Sequence, residues 1–192
     1  MIKFTLYMFS YILLLSLGFF TLRYLVPRDY RRLGKLSPSI TFIQALLFFV
    51  YGGFPYIYLD KDWPAVSVPL FIHIIGELLI FFGLAFLFYG MFRLGVLRSM
   101  GRGTPYLDQS GIYGISRNPQ AIACGLYVIG FLMLWPSWYA AGWAVLYIPL
   151  IHMMVMSEEE HLRRTHGQDY QDYCNKVPRY LGLKSVWKNV ST

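Results

Sequence analysis

The chain has 192 residues, of which 56% are hydrophobic and 19% aromatic, while only 14% are charged. Soluble domains usually carry about 25% charged residues, so this composition excludes an ordinary soluble protein. It predicts an all-α, polytopic membrane protein. The formal net charge of +7 would suggest a nucleic-acid partner in a soluble chain. In a membrane protein, basic loops set the topology and contact anionic lipids, so we expect membrane lipids and no nucleic acid as partners.

Five apolar runs are candidates for transmembrane helices, since roughly 20 residues cross the hydrocarbon core. They cover approximately residues 4–26, 40–59, 66–92, 119–135 and 137–156. The first run is interpreted as an uncleaved anchor, because one lysine precedes it and no small-residue cleavage site follows. Ser37 and Pro38 suit the start of the second run, and Gly52 and Gly53 predict that this helix kinks or ends early.

The third run contains His73 and Glu77, which are four residues apart and therefore share one helical face. An ionisable group at membrane depth is a functional hypothesis by default. A protonated Glu77, or one hydrogen-bonded to a neighbouring helix, is an equally good explanation, because nothing nearby completes a site.

The basic residues predict the topology. Of the 17 Lys and Arg, only Lys3 and Lys61 fall at the N-terminus and in the turn between the second and third runs. The positive-inside rule then places the other loops and the C-terminal tail in the cytoplasm, with the N-terminus outside. We expect N-terminal transmembrane helices over residues 1–92 and a functional core over residues 93–192, with a helical hairpin and a cytoplasmic pocket.

A first polar cluster precedes the fourth run. Asn118 is a good N-cap and Pro119 suits the first helical position. A helix start presents free backbone N–H groups, and Arg117 lies beside it, so the pair suits a carboxylate or phosphate ligand. The alternative is that Arg117 only helps to set the topology.

A second cluster, Glu158 to Glu160, follows the fifth run. Pairs at i,i+4 spacing are expected between Glu159 and Arg163 and between Glu160 and Arg164. Glu158 has no such partner and lies nearest the membrane, so its carboxylate could bind a cationic group or hydroxyls. We expect no metal site, because the two nearby histidines are five residues apart. Gly167 is expected to end this helix, because glycine is common just after helix ends.

Together the two clusters resemble the isoprenylcysteine carboxyl methyltransferase and phospholipid methyltransferase superfamily. The resemblance covers roughly residues 90 to 182 and lies in the order and spacing of its parts. Its residues are Gly111, Tyr113, Arg117, Asn118, Pro119, Glu158, Glu159, Leu162, Gly167, Tyr170, Tyr173, Val177, Pro178 and Arg179. The segment from Gly101 to Pro105 is similar to a stretch in prokaryotic members, which implies a prokaryotic inner membrane.

The resemblance implies S-adenosylmethionine as methyl donor, bound in the cytoplasmic pocket. Donor binding would fall to Gly111, Tyr113, Arg117, Asn118, Pro119, Glu158, Glu159, Tyr170 and Tyr173. Arg117 and the helix start would hold the donor carboxylate, and Glu158 or Glu159 its amine, ribose or sulfonium side. The tyrosines would form aromatic walls. Glu159 and Arg179 are the predicted catalytic residues, and Arg179 would orient an acceptor carboxylate.

One departure concerns Gln120 and Ala121, which stand where family members usually have an apolar residue and then tyrosine. It leaves the acceptor open: a lipidic or membrane-soluble carboxylate, amine or thiol. The alternative function is an NAD(P)H-dependent membrane reductase of an isoprenoid or sterol-like substrate. A third possibility is a non-catalytic protein that retains the scaffold.

Overall fold

The computed structural model describes residues 2–54, 66–103 and 107–182, and these residues form helices and connections without a strand. The helices are α1 (Ile2–Phe20), α2 (Val26–Leu33), α3 (Pro38–Gly53), α4 (Leu70–Leu94), α5 (Val96–Ser99), α6 (Pro119–Leu134) and α7 (Trp138–Lys176). A 3₁₀ turn, Gly111–Gly114, precedes α6. The predicted all-α architecture is therefore confirmed.

The first span is longer than predicted, because a π-helical turn, Thr21–Leu25, joins α1 to α2 without a break. A π turn leaves its carbonyl groups less regularly bonded. Ser157 of α7 satisfies one of them by donating its hydroxyl to the Leu22 carbonyl. In the same turn, Arg23 binds the Glu160 carboxylate at 2.9 Å. The π turn therefore fastens the first span to α7.

The start and the early end of α3 agree with the sequence prediction. The Ser37 hydroxyl accepts the Ile40 N–H at 3.4 Å, and Pro38 is the first helical residue. The helix ends at Gly53, where the Gly52-Gly53 pair predicted a break. The remainder of the predicted second span, up to Leu59, lies outside the described residues.

Glycines bring α4 and α6 unusually close together. Gly76, Gly83 and Gly90 are buried at seven-residue spacing on one face of α4. A Cβ atom on Gly76 would lie 2.8 Å from the Gly130 carbonyl oxygen, and one on Gly83 would lie 2.7 Å from the Ala123 carbonyl oxygen. Small residues permit such backbone contact in membrane helices. The two helices run antiparallel and bring Leu94 and Pro119 to the same end of the pair.

The long helix α7 is the centre of the remaining fold. It begins after a Ser137 cap, close to the predicted start of the fifth run at residue 137. Its Trp143 ring stacks on Tyr51 of α3 with centroids 5.1 Å apart. Each of these two residues also donates a side-chain hydrogen bond to the other's carbonyl oxygen. About 20 residues of α7 suffice to cross a bilayer, so its C-terminal half extends beyond the hydrocarbon.

The end of α7 differs from the prediction. Gly167 has φ 52 and ψ −119, a conformation that glycine adopts easily, so the helix is interrupted where a cap was expected. The chain then resumes a helix up to Lys176, beyond the predicted helix end at Gly167. This last turn carries Tyr170 and Tyr173 into the protein core.

Three helices are long and apolar enough to cross a membrane: Ile2–Leu33, Leu70–Leu94 and Trp138–Lys176. The 16-residue helices α3 and α6 are about 24 Å long, shorter than the roughly 30 Å hydrocarbon core. Length and composition therefore identify three of the five predicted spans. The division between residues 92 and 93 stays a prediction.

Candidate active site

A cavity of about 140 Å³ lies at the end of the helices where α4 terminates and α6 begins. Six of the predicted site residues line it: Tyr113, Arg117, Asn118, Pro119, Glu158 and Tyr173. Four others, Gly111, Glu159, Tyr170 and Arg179, are not among its lining residues. The structure thus brings both predicted clusters to one cavity, with part of each cluster on its wall and part behind it.

The backbone around the start of α6 is tied to the C-terminal segment. The Arg117 N–H donates to the Pro178 carbonyl at 3.0 Å, and the Asn118 N–H donates to the Ser116 hydroxyl at 3.1 Å. Asn118 occupies the N-cap position but its side chain makes no capping bond. Instead its amide donates to the Arg179 carbonyl at 3.0 Å. Part of the predicted capping role is therefore wrong, because tertiary partners compete for the amide.

Behind the cavity wall, Glu159 is the centre of a buried charge cluster. Its side chain is 4% exposed. Arg179 donates to both carboxylate oxygens, at 3.1 and 2.8 Å. Arg117 lies 3.3 Å from Oε1, and the Asn118 amide donates to the same oxygen at 3.3 Å. A buried carboxylate requires this degree of pairing, and the hydrogen bond to Glu159 raises the pKa of Arg179.

This cluster corrects the predicted pairing of Glu159 with Arg163. Glu159 faces the protein interior, whereas Arg163 is exposed, so the i,i+4 pair does not form. The second predicted pair is confirmed, since Arg164 lies 3.8 Å from Glu160. Sequence spacing on one helix could not reveal that arginines from two other segments reach Glu159.

Arg117 is held in place but retains one unused donor. Its Nη1 lies 2.6 Å from the Cys174 sulfur and 3.4 Å from the Tyr170 hydroxyl. Its Nε is buried and has no hydrogen-bond partner among the described residues. An unsatisfied buried donor is costly, so this atom indicates a place for an acceptor.

Glu158 lines the cavity and makes no ion pair or hydrogen bond within the described parts of the chain. Its side chain is half-buried, and desolvation, followed by repulsion from Glu159, raises its pKa to about 7. The spacing to Leu162 predicted only that Glu158 has no i,i+4 partner on its own helix. A cationic ligand beside Glu158 would stabilise its charged form, which burial and Glu159 disfavour.

The tyrosines predicted as aromatic walls fall into two groups. Tyr173 donates to the Tyr113 carbonyl at 2.6 Å, and both residues line the cavity. Burial, followed by the charge of Glu158, raises the pKa of Tyr113 to about 12, and its buried hydroxyl has no partner in the described chain. Tyr170 packs behind the cavity, with its ring 6.0 Å from the Arg117 guanidinium.

Gly111 contributes to the site through its backbone conformation. It has φ 57, and a Cβ atom there would lie 2.8 Å from an Arg93 nitrogen. Arg93 binds Asp108 at 3.0 Å, and Asp108 lines the cavity. Gly111 thus permits the turn that carries this ion pair and Tyr113 to the cavity.

Several lining residues were missed by the sequence interpretation. Tyr30 of α2 stacks on His161 with centroids 4.1 Å apart and planes at 4°, and both line the cavity. Burial lowers the pKa of His161. The position of His161 one turn after Ser157 was a usable signal, because the inward face of α7 continues through it. Nothing in the sequence indicated that α2 would reach this face.

The two residues that depart from the family pattern both line the cavity. Gln120 donates to the Ser99 hydroxyl at 3.1 Å. Ala121 is buried, and Tyr147 donates to its carbonyl oxygen at 2.5 Å. Tyr180 packs against the cluster that contains Ala121. Aromatic rings from elsewhere therefore surround the small side chain at position 121.

Two further groups from the sequence interpretation, the His73–Glu77 pair and the cysteines, lie outside the set of residues that line the cavity. His73 and Glu77 line a shallow pocket with Trp135 and Pro136, at the opposite end of the α4–α6 pair. Glu77 is exposed there. Within the described residues no three metal-binding side chains cluster. Cys124 and Cys174 are both unpaired.

These features define a helical protein, over the residues that the structure describes, with apolar helices long enough to cross a membrane and a cavity at one end of its helices. The chain belongs to the phospholipid methyltransferase family, whose sequence profile matches residues 71–169. This range covers nearly all of α4, the whole of α6, and α7 as far as Asp169. Neither the curated proteins nor the solved structures give a significant match. Membership indicates a methyltransferase with a lipid-type substrate, in agreement with the resemblance found in the sequence.

Proposed function

We propose that the protein transfers the methyl group of S-adenosylmethionine to a lipidic or membrane-soluble acceptor in this cavity. The observation that carries the proposal is a pair of unused groups of opposite charge in the cavity. Glu158 has a carboxylate and Arg117 a buried Nε, and neither group has a partner among the described residues. Together they suit a ligand that bears both a carboxylate and a cationic group.

The donor is such a ligand, since it carries a carboxylate, an ammonium group and a sulfonium. Arg117 and the N–H groups at the start of α6 would hold the carboxylate, with Asn118 and Pro119 shaping that turn. Glu158 would hold a cationic side. Tyr113 and Tyr173 would form walls, and the free Tyr113 hydroxyl offers one more hydrogen bond. The bound donor would supply an electrophilic methyl group.

The protein's part in such a transfer is alignment and exclusion of water. Glu159 and Arg179 would act as positioning residues, because they hold Arg117 and Asn118 from behind the wall. Tyr170 and Gly111 would support the same wall. The predicted direct contacts of Glu159 and Arg179 with donor or acceptor stay predictions.

The acceptor is a carboxylate, an amine or a thiol of a membrane-soluble molecule. A carboxylate or thiolate would need no further base, whereas an amine must first lose a proton. The proposed orientation places the cavity at the cytoplasmic surface, with the N-terminus outside and the C-terminus inside, in a prokaryotic inner membrane. The distribution of basic residues supports this orientation.

Thermal unfolding of the purified protein with S-adenosylhomocysteine, and separately with NADPH, tests the donor. A bound ligand raises the melting temperature by mass action. We expect stabilisation by S-adenosylhomocysteine alone. Stabilisation by NADPH alone would favour the reductase, and stabilisation by neither would favour a non-catalytic protein. Incubation with methyl-labelled donor and a total lipid extract then identifies the acceptor.

Two variants test the residue roles. Glu158→Gln keeps the side-chain volume but removes the charge, and Arg117→Lys keeps the charge but loses the planar fork. Both should weaken S-adenosylhomocysteine binding. Glu160→Gln is the matched control, since Glu160 lies on the same helix and binds Arg23 outside the cavity. Equal affinity in all four proteins would refute the assignments.

A further inference from the structure

The end of the first span carries an exposed basic face that the cavity does not use. It consists of Arg28, Arg31, Arg32 and Lys35, all of which are exposed. The first three stand at i, i+3 and i+4 on α2 and therefore share one side of the helix. Lys35 follows directly after the cap at Gly34, which has φ 67.

None of these four cations has a carboxylate partner among the described residues. The nearest acidic residue in the sequence, Asp29, accepts hydrogen bonds from the Ser37 N–H and hydroxyl, at 2.9 and 2.5 Å. Setting the topology requires basic residues but neither a common face nor the absence of counter-charges. The basic face therefore offers four unneutralised charges to a partner.

The basic face is also held rigidly. On the other side of α2, Val26 and Tyr30 are buried, and Tyr30 stacks on His161 of α7. Leu36, just after the basic face, is buried and donates its N–H to the Gly101 carbonyl at 2.8 Å. The backbone that carries the four cations is therefore fixed, so binding a partner has only their side chains to order.

The position of the basic face matches the lipid headgroup layer. The first span contains 32 residues, or about 48 Å of helix, against a hydrocarbon core of roughly 30 Å. Arg28 lies about 8 Å beyond Arg23 along the axis. Leu33, beside the face, is 55% exposed, as is usual for side chains that enter a membrane interface.

From these observations we propose that the basic face binds the headgroups of anionic phospholipids in the leaflet that the cavity faces. Phosphate groups and basic side chains complement each other in charge, and juxtamembrane Lys and Arg are attracted to anionic leaflets. A nucleic acid would fit the charge but not the position within the headgroup layer. The bound lipid is a structural partner, distinct from the methyl acceptor, and its binding requires no methyl donor.

The test uses phosphatidylcholine vesicles containing the full-length protein and a trace of spin-labelled phosphatidylglycerol or spin-labelled phosphatidylcholine. Electron paramagnetic resonance measures the immobilised fraction of each lipid. We expect a preference of roughly fivefold or more for phosphatidylglycerol, which weakens at high salt. Arg31→Gln/Arg32→Gln should remove most of this preference. Arg163→Gln/Lys176→Gln, which removes two exposed charges elsewhere, should retain it.

Equal immobilisation of the two lipids by the unmodified protein would overturn the proposal. So would a preference that survives in Arg31→Gln/Arg32→Gln, or one that the control variant loses to the same extent. Binding of a DNA duplex without any lipid preference would assign the basic face to nucleic acid instead. Should the double variant fail to fold, Arg28→Gln provides a milder change with the same expected direction.

Discussion

Arg179 binds Glu159 through both carboxylate oxygens, at 3.1 and 2.8 Å, and so joins the C-terminal segment to α7. Arg117, from the turn before α6, completes the cluster at 3.3 Å. Three segments that are far apart in sequence thus meet at one buried carboxylate. Arg117 also lines the cavity. The shape of the cavity wall therefore depends on the ion pairs that Glu159 makes.

Replacing Glu159 with glutamine should destabilise the protein. The substitution leaves Arg117, whose side chain is 11% exposed, beside a neutral amide. Breaking a buried ion pair on one side costs about 3–5 kcal/mol, and we expect a loss near the lower value because Arg179 is partly exposed. Denaturant unfolding in detergent micelles, followed by circular dichroism, measures the change.

Glu160→Gln serves as its control. Glu160 also binds an arginine at 2.9 Å, but both side chains are about one-third exposed. Solvent-exposed ion pairs contribute about 0–1 kcal/mol. A loss in Glu160→Gln as large as that in Glu159→Gln would show that burial of the cluster is not the source of its stability.

The affinity for the donor should depend on pH through Glu158. Its pKa is raised to about 7 by desolvation, so the carboxylate is neutral below that pH and charged above it. Binding of S-adenosylhomocysteine, measured by calorimetry, should therefore strengthen as the pH rises through 7. In Glu158→Gln this step should be absent. A step of unchanged size in the variant would assign it to another group.

Glu158 should also make the stability of the protein depend on pH, but in the opposite direction to donor affinity. Between the ordinary pKa of 4.5 and about 7, the unfolded chain is ionised at Glu158 while the folded protein holds a proton. Stability should therefore fall as the pH rises across this window and level off above it, by up to about 3 kcal/mol. The comparison of unmodified protein with Glu158→Gln isolates this contribution from other titrating groups.

Much of the fold follows from local sequence signals. The apolar runs, the Ser37 cap and the Gly52-Gly53 break predict helix positions well, because each acts within a few residues. The π turn was not predictable, since it depends on Ser157 and Glu160 of a distant helix. The helical turns after Gly167 were also missed, because the burial of Tyr170 and Tyr173 overrides their polar surroundings in sequence.

The candidate site was predictable in its membership more than in its contacts. The order of the motifs predicted that Arg117 and Glu158 share one site, and both line the cavity. Helix spacing predicted only that Glu158 has no i,i+4 partner. The partners of Glu159 were predicted wrongly, because helix periodicity counts only neighbours on the same helix. Tyr30 was missed because its role depends on the packing of α2 against α7, which no local pattern encodes.

Gly83→Ala should weaken the α4–α6 pair. The added methyl group would lie 2.7 Å from the Ala123 carbonyl oxygen and 2.8 Å from the Tyr127 nitrogen. Both are backbone atoms, so the helices must separate, at a cost of about 1–3 kcal/mol. Gly125→Ala is the control within α6, since its methyl group would meet only a Tyr147 ring atom at 3.6 Å. There the better helix propensity of alanine should leave stability unchanged or raise it by up to about 1 kcal/mol.

Ala121→Tyr introduces the aromatic residue that the family resemblance leads us to expect at this position, yet it should destabilise this protein. Ala121 is buried in a cluster to which Tyr147 and Tyr180 contribute their rings, so a third ring overpacks the site by about 1–3 kcal/mol. Removing Tyr180 in the double variant Ala121→Tyr/Tyr180→Ala should recover at least half of that loss, because one ring then takes the place of the other. Unfolding of the two single variants and the double variant forms a complete cycle. Strictly additive losses would show that the two side chains do not compete for the same space, and that the alanine at position 121 reflects something other than the position of Tyr180.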